Sequence, residues 1–299
     1  MNDDGPDGDR GGSAAGDRTR ALVYAHWDCD GVVDDYVIHA LRQYRPLVAR
    51  IVFVSTSQRL PCPALAHVAD VVVTRENLGF DFGSWREGLR RLDLPAYDEI
   101  LFANSSVYGP LWPMAAMLAA PAVLASDLWG MTISVEPRTH LQSYFMGMSR
   151  RLLASACGRR LWRDVRPVRQ KQDAIDAYEL RWMDACTAAG FRVHALFDGR
   201  HHPTVPVSEQ LANLLAWPPP LRLVGRYRRR LRHPPYNPTH LHWKQVLESG
   251  VPFVKVDLLR DNPVGVHPER IRDWIAAHTS YPVDIIRRHL ARVGRRKAA

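Results

Sequence analysis

The chain predicts an α/β fold: a mostly parallel, Rossmann-like sheet flanked by helices, with a helical cap at its C-terminal end. Three observations carry that expectation. Short apolar runs recur at 21–25 (ALVYA), 51–54 (IVFV), 71–73 (VVV) and 99–103 (EILFA); stretches with helical spacing lie between them; and the runs break off into polar, turn-forming residues. Ligands of open α/β sheets collect at that edge, so the loops are expected to carry the chemistry.

With 299 residues, 46% hydrophobic composition and nine Trp, the chain is ample for a packed core. Its beginning differs: Gly, Asp, Arg and Ser dominate there, so residues 1–18 are expected to be a disordered tail and 19–299 a single domain. No apolar segment suits a secretory signal or a membrane span, which makes a cytoplasmic protein the default. Cys29, Cys62, Cys157 and Cys186 are far apart with no C-x-x-C pair and read as reduced thiols. The net charge of +9 is concentrated late, in Arg226, Arg228, Arg229, Arg230 and Arg232 and in the basic end 285–299. Such clusters favour polyanions. With Leu223, Tyr227 and Leu231 as an apolar stripe, the first cluster suits an anionic membrane surface, a solvated basic helix being its equal alternative; no nucleic acid partner is expected.

Taken in order, strand 21–25 ends in His26-Trp27-Asp28-Cys29-Asp30-Gly31, and a helix is expected over 34–44 with Val37, Ile38 and Leu41 on one face. Asp28 and Asp30 in a DCDG string also resemble the first motif of haloacid dehalogenase-like phosphatases, and the next strand ends in Ser55-Thr56, as the second motif of that family requires. The lysine and the acidic pair which that chemistry needs after a later strand are missing, since Lys171 is the first lysine in the chain. As plain structure, Asp28 and Asp30 complement a helix N-terminus. The run 71–73 ends in a turn with Asn77 and Gly79. A helix is then expected from Ser84, as N-cap with Glu87 completing a capping box, and Trp85, Leu89 and Leu92 on its buried face. Strand 99–103 stops at Asn104-Ser105-Ser106, three small polar side chains.

Beyond it come an Ala-rich helix over 114–124, a strand over 127–132 and the string HLQSYF. A helix over 173–190 ends at Gly190 as its C′ residue. Ile175, Glu179, Trp182 and Cys186 share a face of that helix. A carboxylate among apolar neighbours either faces a cleft or is paired, so Glu179 is a candidate general base, with Asp176 the runner-up and a surface ion pair the bland alternative. Trp129 and Tyr144 read as core aromatics unless a ligand is implied. His240 and His242 without a third ligand are weak evidence for a metal.

The strings ENLGFDFGSW, NSSVYGPLWP, DLWGMT, HLQSYF, NPTH and PFVKVDLLRDNP resemble the rhamnan synthesis F family of glycosyltransferases, as does Ala25-His26 followed by an aromatic-Asp pair. The resemblance implies a GT-A-like fold and inverting transfer of L-rhamnose from dTDP-rhamnose to a cell-surface polysaccharide or lipopolysaccharide at the inner face of the membrane. It further implies a nucleotide-sugar site built from His26, Asp28, Asn77, Gly79, Asp81, Asn104, Ser105, Ser106, Lys255 and Arg260. The acceptor side would comprise Trp129, His140, Gln142, Tyr144 and Trp182. The usual triplet of the family is Asn-Asp-Ser; Ser105 stands here in place of the acid, leaving a Mg²⁺ or Mn²⁺ cofactor open. The other classes considered are the phosphatase and a non-catalytic protein binding glycan or membrane.

Overall fold

The structure is a computed structural model and describes residues 18–57, 62–202, 205–216 and 237–294. β1 (Arg20–His26), β2 (Arg50–Ser55), β3 (Val71–Thr74) and β4 (Glu99–Asn104) are parallel and lie in the order β3-β2-β1-β4. β5 (Val107–Tyr108) leaves this sheet. β6 (Leu128–Ser134), β7 (His140–Leu141), β8 (Phe145–Ser149) and β9 (Val193–Asp198) extend it on the β4 side. There β8 runs antiparallel to both β4 and β6, whereas β9 lies parallel to β6. Outside this sheet, β10 (Val254–Lys255) pairs antiparallel with β5, which brings the C-terminal region against the end of β4.

Every residue of β1 and β4 is buried, because both faces of the sheet are covered. Alternation then sorts their side chains into two cores. Leu22, Tyr24, Ile51, Phe53, Leu101 and Ala103 meet α1 (Asp35–Tyr44) and the C-terminal helices on one face. Val23, Val52, Val54, Ile100 and Phe102 meet α2 (Phe80–Leu89) and helices 156–163 and 180–188 on the other. α2 lies close to the sheet at Gly88, where an added Cβ would stand 2.2 Å from Val23 Cγ1.

The expected C-terminal cap is present as helices Pro268–His278 and Val283–Gly294, and among the described residues no helix is long and apolar enough to cross a membrane. Several boundaries differ from expectation. α2 starts at Phe80, with Gly79 in the left-handed region at φ +75°, so Ser84 is no N-cap; it is buried in the second turn, where its hydroxyl accepts from Arg75. The stretch 114–124 is two short helices, Ala115–Leu118 and Pro121–Leu124, because Pro121 cannot continue the first. The long helix before Gly190 contains a π turn, Ile175–Glu179. The tail 1–17, the basic cluster 226–232 and residues 295–299 lie outside the described residues.

At the end of the sheet where β4 begins, Glu99 is fully buried and accepts from Arg20 at 2.7 Å, Arg18 at 3.0 Å and Trp129 Nε1 at 2.7 Å. Removing the carboxylate strands a buried guanidinium. Glu99→Ala is expected to lower the unfolding free energy by about 3–5 kcal/mol in urea titrations; a loss below about 1 kcal/mol would show that the cluster does not hold this end of the sheet.

Candidate active site

The strand order turns back at β1, whose neighbours are β2 and β4, and the crevice of a doubly wound sheet opens at such a point. The loops after β1 and β4 touch there: Ser105 Oγ accepts from the Trp27 N–H at 3.1 Å and donates to the Trp27 carbonyl at 3.0 Å. Behind them, the Tyr36 hydroxyl donates to the Ser105 carbonyl at 2.8 Å.

From that point a hydrogen-bonded chain crosses the cleft. The Asn104 amide donates to Asp81 Oδ2 at 2.9 Å, while its Oδ1 accepts the Ser106 hydroxyl at 2.6 Å and the Ser106 N–H at 3.1 Å. The flipped amide would set N–H against N–H and oxygen against oxygen. Lys255 Nζ donates to Ser106 Oγ at 3.3 Å and stands 4.6 Å from the centroid of the Tyr144 ring, a cation-π placement. Its position is set by β10 and by the residue after it, Val256, whose N–H is bonded to the Ser106 carbonyl at 2.9 Å.

Burial pushes the Asp81 carboxyl above its ordinary range, and the negative charge of Glu179 adds to this, against the pull of Lys171, Lys255 and the Asn104 amide. Burial likewise lowers the Lys255 ammonium, with Asp257, Glu179 and Asp81 opposing. Asp257 itself is held low: burial works against its charge, but the hydrogen bond from His240 at 2.8 Å and the Lys255 ammonium outweigh it. Asp81, Glu179, Lys171 and Lys255 therefore share one electrostatic environment. Glu179 ends the π turn, and its Oε1 accepts the Ser143 N–H at 3.1 Å, which orients the carboxylate.

Asp28 sits beside this chain, but its carboxylate is engaged. Arg292 of helix Val283–Gly294 reaches both of its oxygens and also bonds Asp30 at 2.6 Å and Asp34 at 2.5 Å, while Asp28 Oδ1 accepts the N–H groups of Asp30 and Val32. Burial raises the Asp28 carboxyl, yet these bonds hold it below the usual range. A phosphatase nucleophile at Asp28 is thus corrected to an ion-pair anchor. His26, behind it, donates from Nε2 to the Val32 carbonyl and accepts the Ser55 hydroxyl at Nδ1; burial lowers its pKa to about 4.

The donor groups do not fit a divalent cation. At the triplet, the carboxylate in contact is Asp81, on a lysine-bearing cleft wall. Two groups, Asp28 with Asp34 and His289 and Asp28 with Cys29 and Asp30, have ligand atoms close enough together for a metal, but the guanidinium of Arg292 already binds all three of their carboxylates.

Other expected site residues lie elsewhere. Trp129 is fully buried beneath the sheet end at Glu99 and Trp182 is buried against Phe82 and Trp162, so neither offers a ring to a sugar. Tyr144 is buried under Lys255; Gln142 accepts from Thr132 and donates to Asn237, and His140 is bonded to the Arg138 carbonyl. Asp176 faces a separate groove with Arg160, Asp164, Asp173 and Arg181, which corrects its role as runner-up base. Arg260 is paired with Asp261, its next neighbour. The Gly79 N–H is bonded to the Val168 carbonyl, and Asn77 is half-buried in the preceding turn. Conversely, Tyr36, Ser143, Lys171, Asp257 and Arg292 were not expected at the cleft. Only Lys171 carried a signal, the first lysine of a lysine-poor chain.

The mostly parallel, Rossmann-like sheet is GT-A-like, the fold class of nucleotide-sugar glycosyltransferases. The chain belongs to the rhamnan synthesis protein F family, whose model matches residues 51–212. It is 29% identical over 215 residues to the virulence protein VirA of Vibrio anguillarum, covering 69% of this chain and 67% of that protein. An uncharacterized protein y4gN of Sinorhizobium fredii is 24% identical over 139 residues, covering 44% of this chain and 36% of its own. Among solved structures, a putative nucleotide-diphospho-sugar transferase from Desulfovibrio desulfuricans matches with a TM-score of 0.37 at 13% identity, over 60% of this chain and 80% of that one. Glucosyl-3-phosphoglycerate synthase from Mycobacterium tuberculosis matches with a TM-score of 0.39 at 15% identity, over 60% of this chain and 70% of that one.

The neutral His26 has a pH signature. With a folded pKa of about 4 against the ordinary 6.5, the unfolded chain binds a proton in that window that the folded chain refuses. Stability contributed by this group is complete above the ordinary value and is lost as pH falls toward 4, by on the order of 3 kcal/mol. The stability gap between wild type and His26→Gln, measured by urea titration, is expected to shrink by that amount across the window; a constant gap would contradict the assignment.

Proposed function

We propose that the protein transfers a hexose, L-rhamnose from dTDP-rhamnose, to a hydroxyl of a cell-surface polysaccharide or lipopolysaccharide acceptor, with inversion. The observation that supports this reading is the hydrogen-bonded set of Asp81, Asn104, Ser106 and Lys255 at the end of β4, with Glu179 within electrostatic reach of Asp81 and Lys255. Glu179 takes the proton of the acceptor hydroxyl as its oxygen bonds to the anomeric carbon. The bond from that carbon to the diphosphate oxygen breaks, and the departing diphosphate is met by Lys255 and by the Ser106 hydroxyl. Asp81 and Asn104 hold the triplet in shape, and His26 and Asp28 support the loop beside it.

This arrangement assigns to an ammonium group the compensation that a metal-bound acid pair supplies elsewhere. The sugar and nucleotide rest on the family resemblance, and a panel of nucleotide-sugar donors scored by nucleotide diphosphate release tests them. The reading fails if no donor is consumed.

Glu179→Gln is expected to lower kcat by about 10²–10⁴-fold with the melting curve retained, and Lys255→Met by about 10²–10³-fold. Full turnover in either folded variant would remove that residue from the mechanism. Exhaustive chelation is expected to leave wild-type turnover unchanged, and rescue by Mg²⁺ or Mn²⁺ after chelation would overturn cation independence.

A further inference from the structure

A cavity of about 190 Å³ opens between α2 and the segment 165–167. The helix lines it with Gly83, Arg86, Glu87 and Arg90, one stripe of α2, whereas Asp81 leaves the helix on the other side, toward Asn104. Together with Arg75 and Arg166 the wall carries four arginines and a single carboxylate, Glu87. That carboxylate is already shared by Arg90 at 3.2 Å and Arg91 at 2.9 Å. Among the described residues, Arg75, Arg86 and Arg166 have no acid within ion-pair distance; Glu87 and Glu76 act on Arg75 only from further off. Three guanidinium charges thus share one cavity without a counter-charge of their own.

The fold makes room for these groups and holds two of them. An added Cβ at Gly83 would stand 2.7 and 2.8 Å from the two terminal nitrogens of Arg75, a guanidinium that donates to the Leu78 and Phe80 carbonyls and to the Ser84 hydroxyl. Arg86 reaches across to the Val165 carbonyl, and Arg90 and Arg166 are exposed at the rim. Guanidiniums contributed by two segments and by successive turns of α2 are satisfied best by an anion whose oxygens point in several directions, which a planar carboxylate does not offer. We infer that this cavity binds a phosphate-bearing anion, at a site separate from the cleft at Lys255. The bound oxyanion bridges α2 and the segment 165–167. Both carry parts of the cleft on their other sides: Arg75 holds the turn from which Asp81 projects, and the Arg166 N–H is bonded at 2.7 Å to the hydroxyl of Tyr178, the residue before Glu179. The site requires nothing of the donor chemistry.

The test is calorimetric titration of the full chain with pyrophosphate at low salt, in wild type and in Lys255→Met, which removes the ammonium of the cleft. Binding is expected to persist in folded Lys255→Met and to weaken as salt is raised. Adding Arg90→Gln and Arg166→Gln is expected to weaken it at least about tenfold with an unchanged melting curve, since both side chains are exposed. Glu87→Gln is expected to tighten binding about threefold, because it takes the one negative charge from the wall. Absence of binding in folded Lys255→Met, equal binding by the arginine variant, or unchanged or weaker binding by Glu87→Gln overturns the site, and equal affinity for malonate overturns the phosphate assignment. Co-sedimentation with phosphatidic acid vesicles that the arginine variant loses identifies a lipid headgroup as the source of the phosphate; no co-sedimentation, with pyrophosphate bound, identifies a free anion. Release of nucleotide diphosphate from free donor, read on the same samples, scores the transferase reading separately.

Discussion

The placement of one ammonium group organises the cleft. Lys255 is half-buried, and withdrawing an ammonium from water is costly unless opposite charge and hydrogen-bond acceptors replace the solvent. Asp257, Glu179 and Asp81 supply the charge, Ser106 the acceptor and Tyr144 a ring face. Each of these groups is constrained in turn: Asp257 by His240, Glu179 by the Ser143 N–H, and Asp81 and Ser106 by the two ends of the Asn104 side chain. The groups are therefore oriented before any ligand arrives, which is the condition for electrostatic stabilisation of a leaving group without reorganisation.

The C-terminal region has a role that its position in the chain does not suggest. Through β10 it delivers Lys255 to the end of β4, and through Arg292 it gathers Asp28, Asp30 and Asp34 beneath the loop after β1. Both contacts join residues more than a hundred positions apart, so the cleft is complete only when the last helices have packed on the sheet. A guanidinium among three carboxylates also accounts for a cluster of acids that would otherwise look like a metal site.

Trp129 and Trp182 belong to the packed core rather than to the cleft. Gly147 lies beside Trp129, where a Cβ would come within 2.4 Å of the indole nitrogen, and that space is what lets the ring lie flat in the sheet and reach Glu99. Trp182 completes an aromatic cluster with Phe82, Trp162 and Tyr178 under α2. These rings are spent on packing.

Much of this is legible in the residues alone. The strand runs, the polar loops that end them, the Asn104 triplet and the face carrying Glu179 are local patterns, because periodicity and turn chemistry act over a few residues. Even there the start of α2 escapes local reading, since a left-handed Gly79 tied to Val168 opens the helix before Ser84 can cap it. Which side chains meet was decided by tertiary structure. The antiparallel insertion of β8, the pairing of β10 with β5 and the reach of Arg292 depend on contacts between distant segments, and no local spacing encodes that Asp28 is neutralised, that Trp129 is covered or that Asp176 lines a separate groove while Glu179 is bonded to the Ser143 N–H.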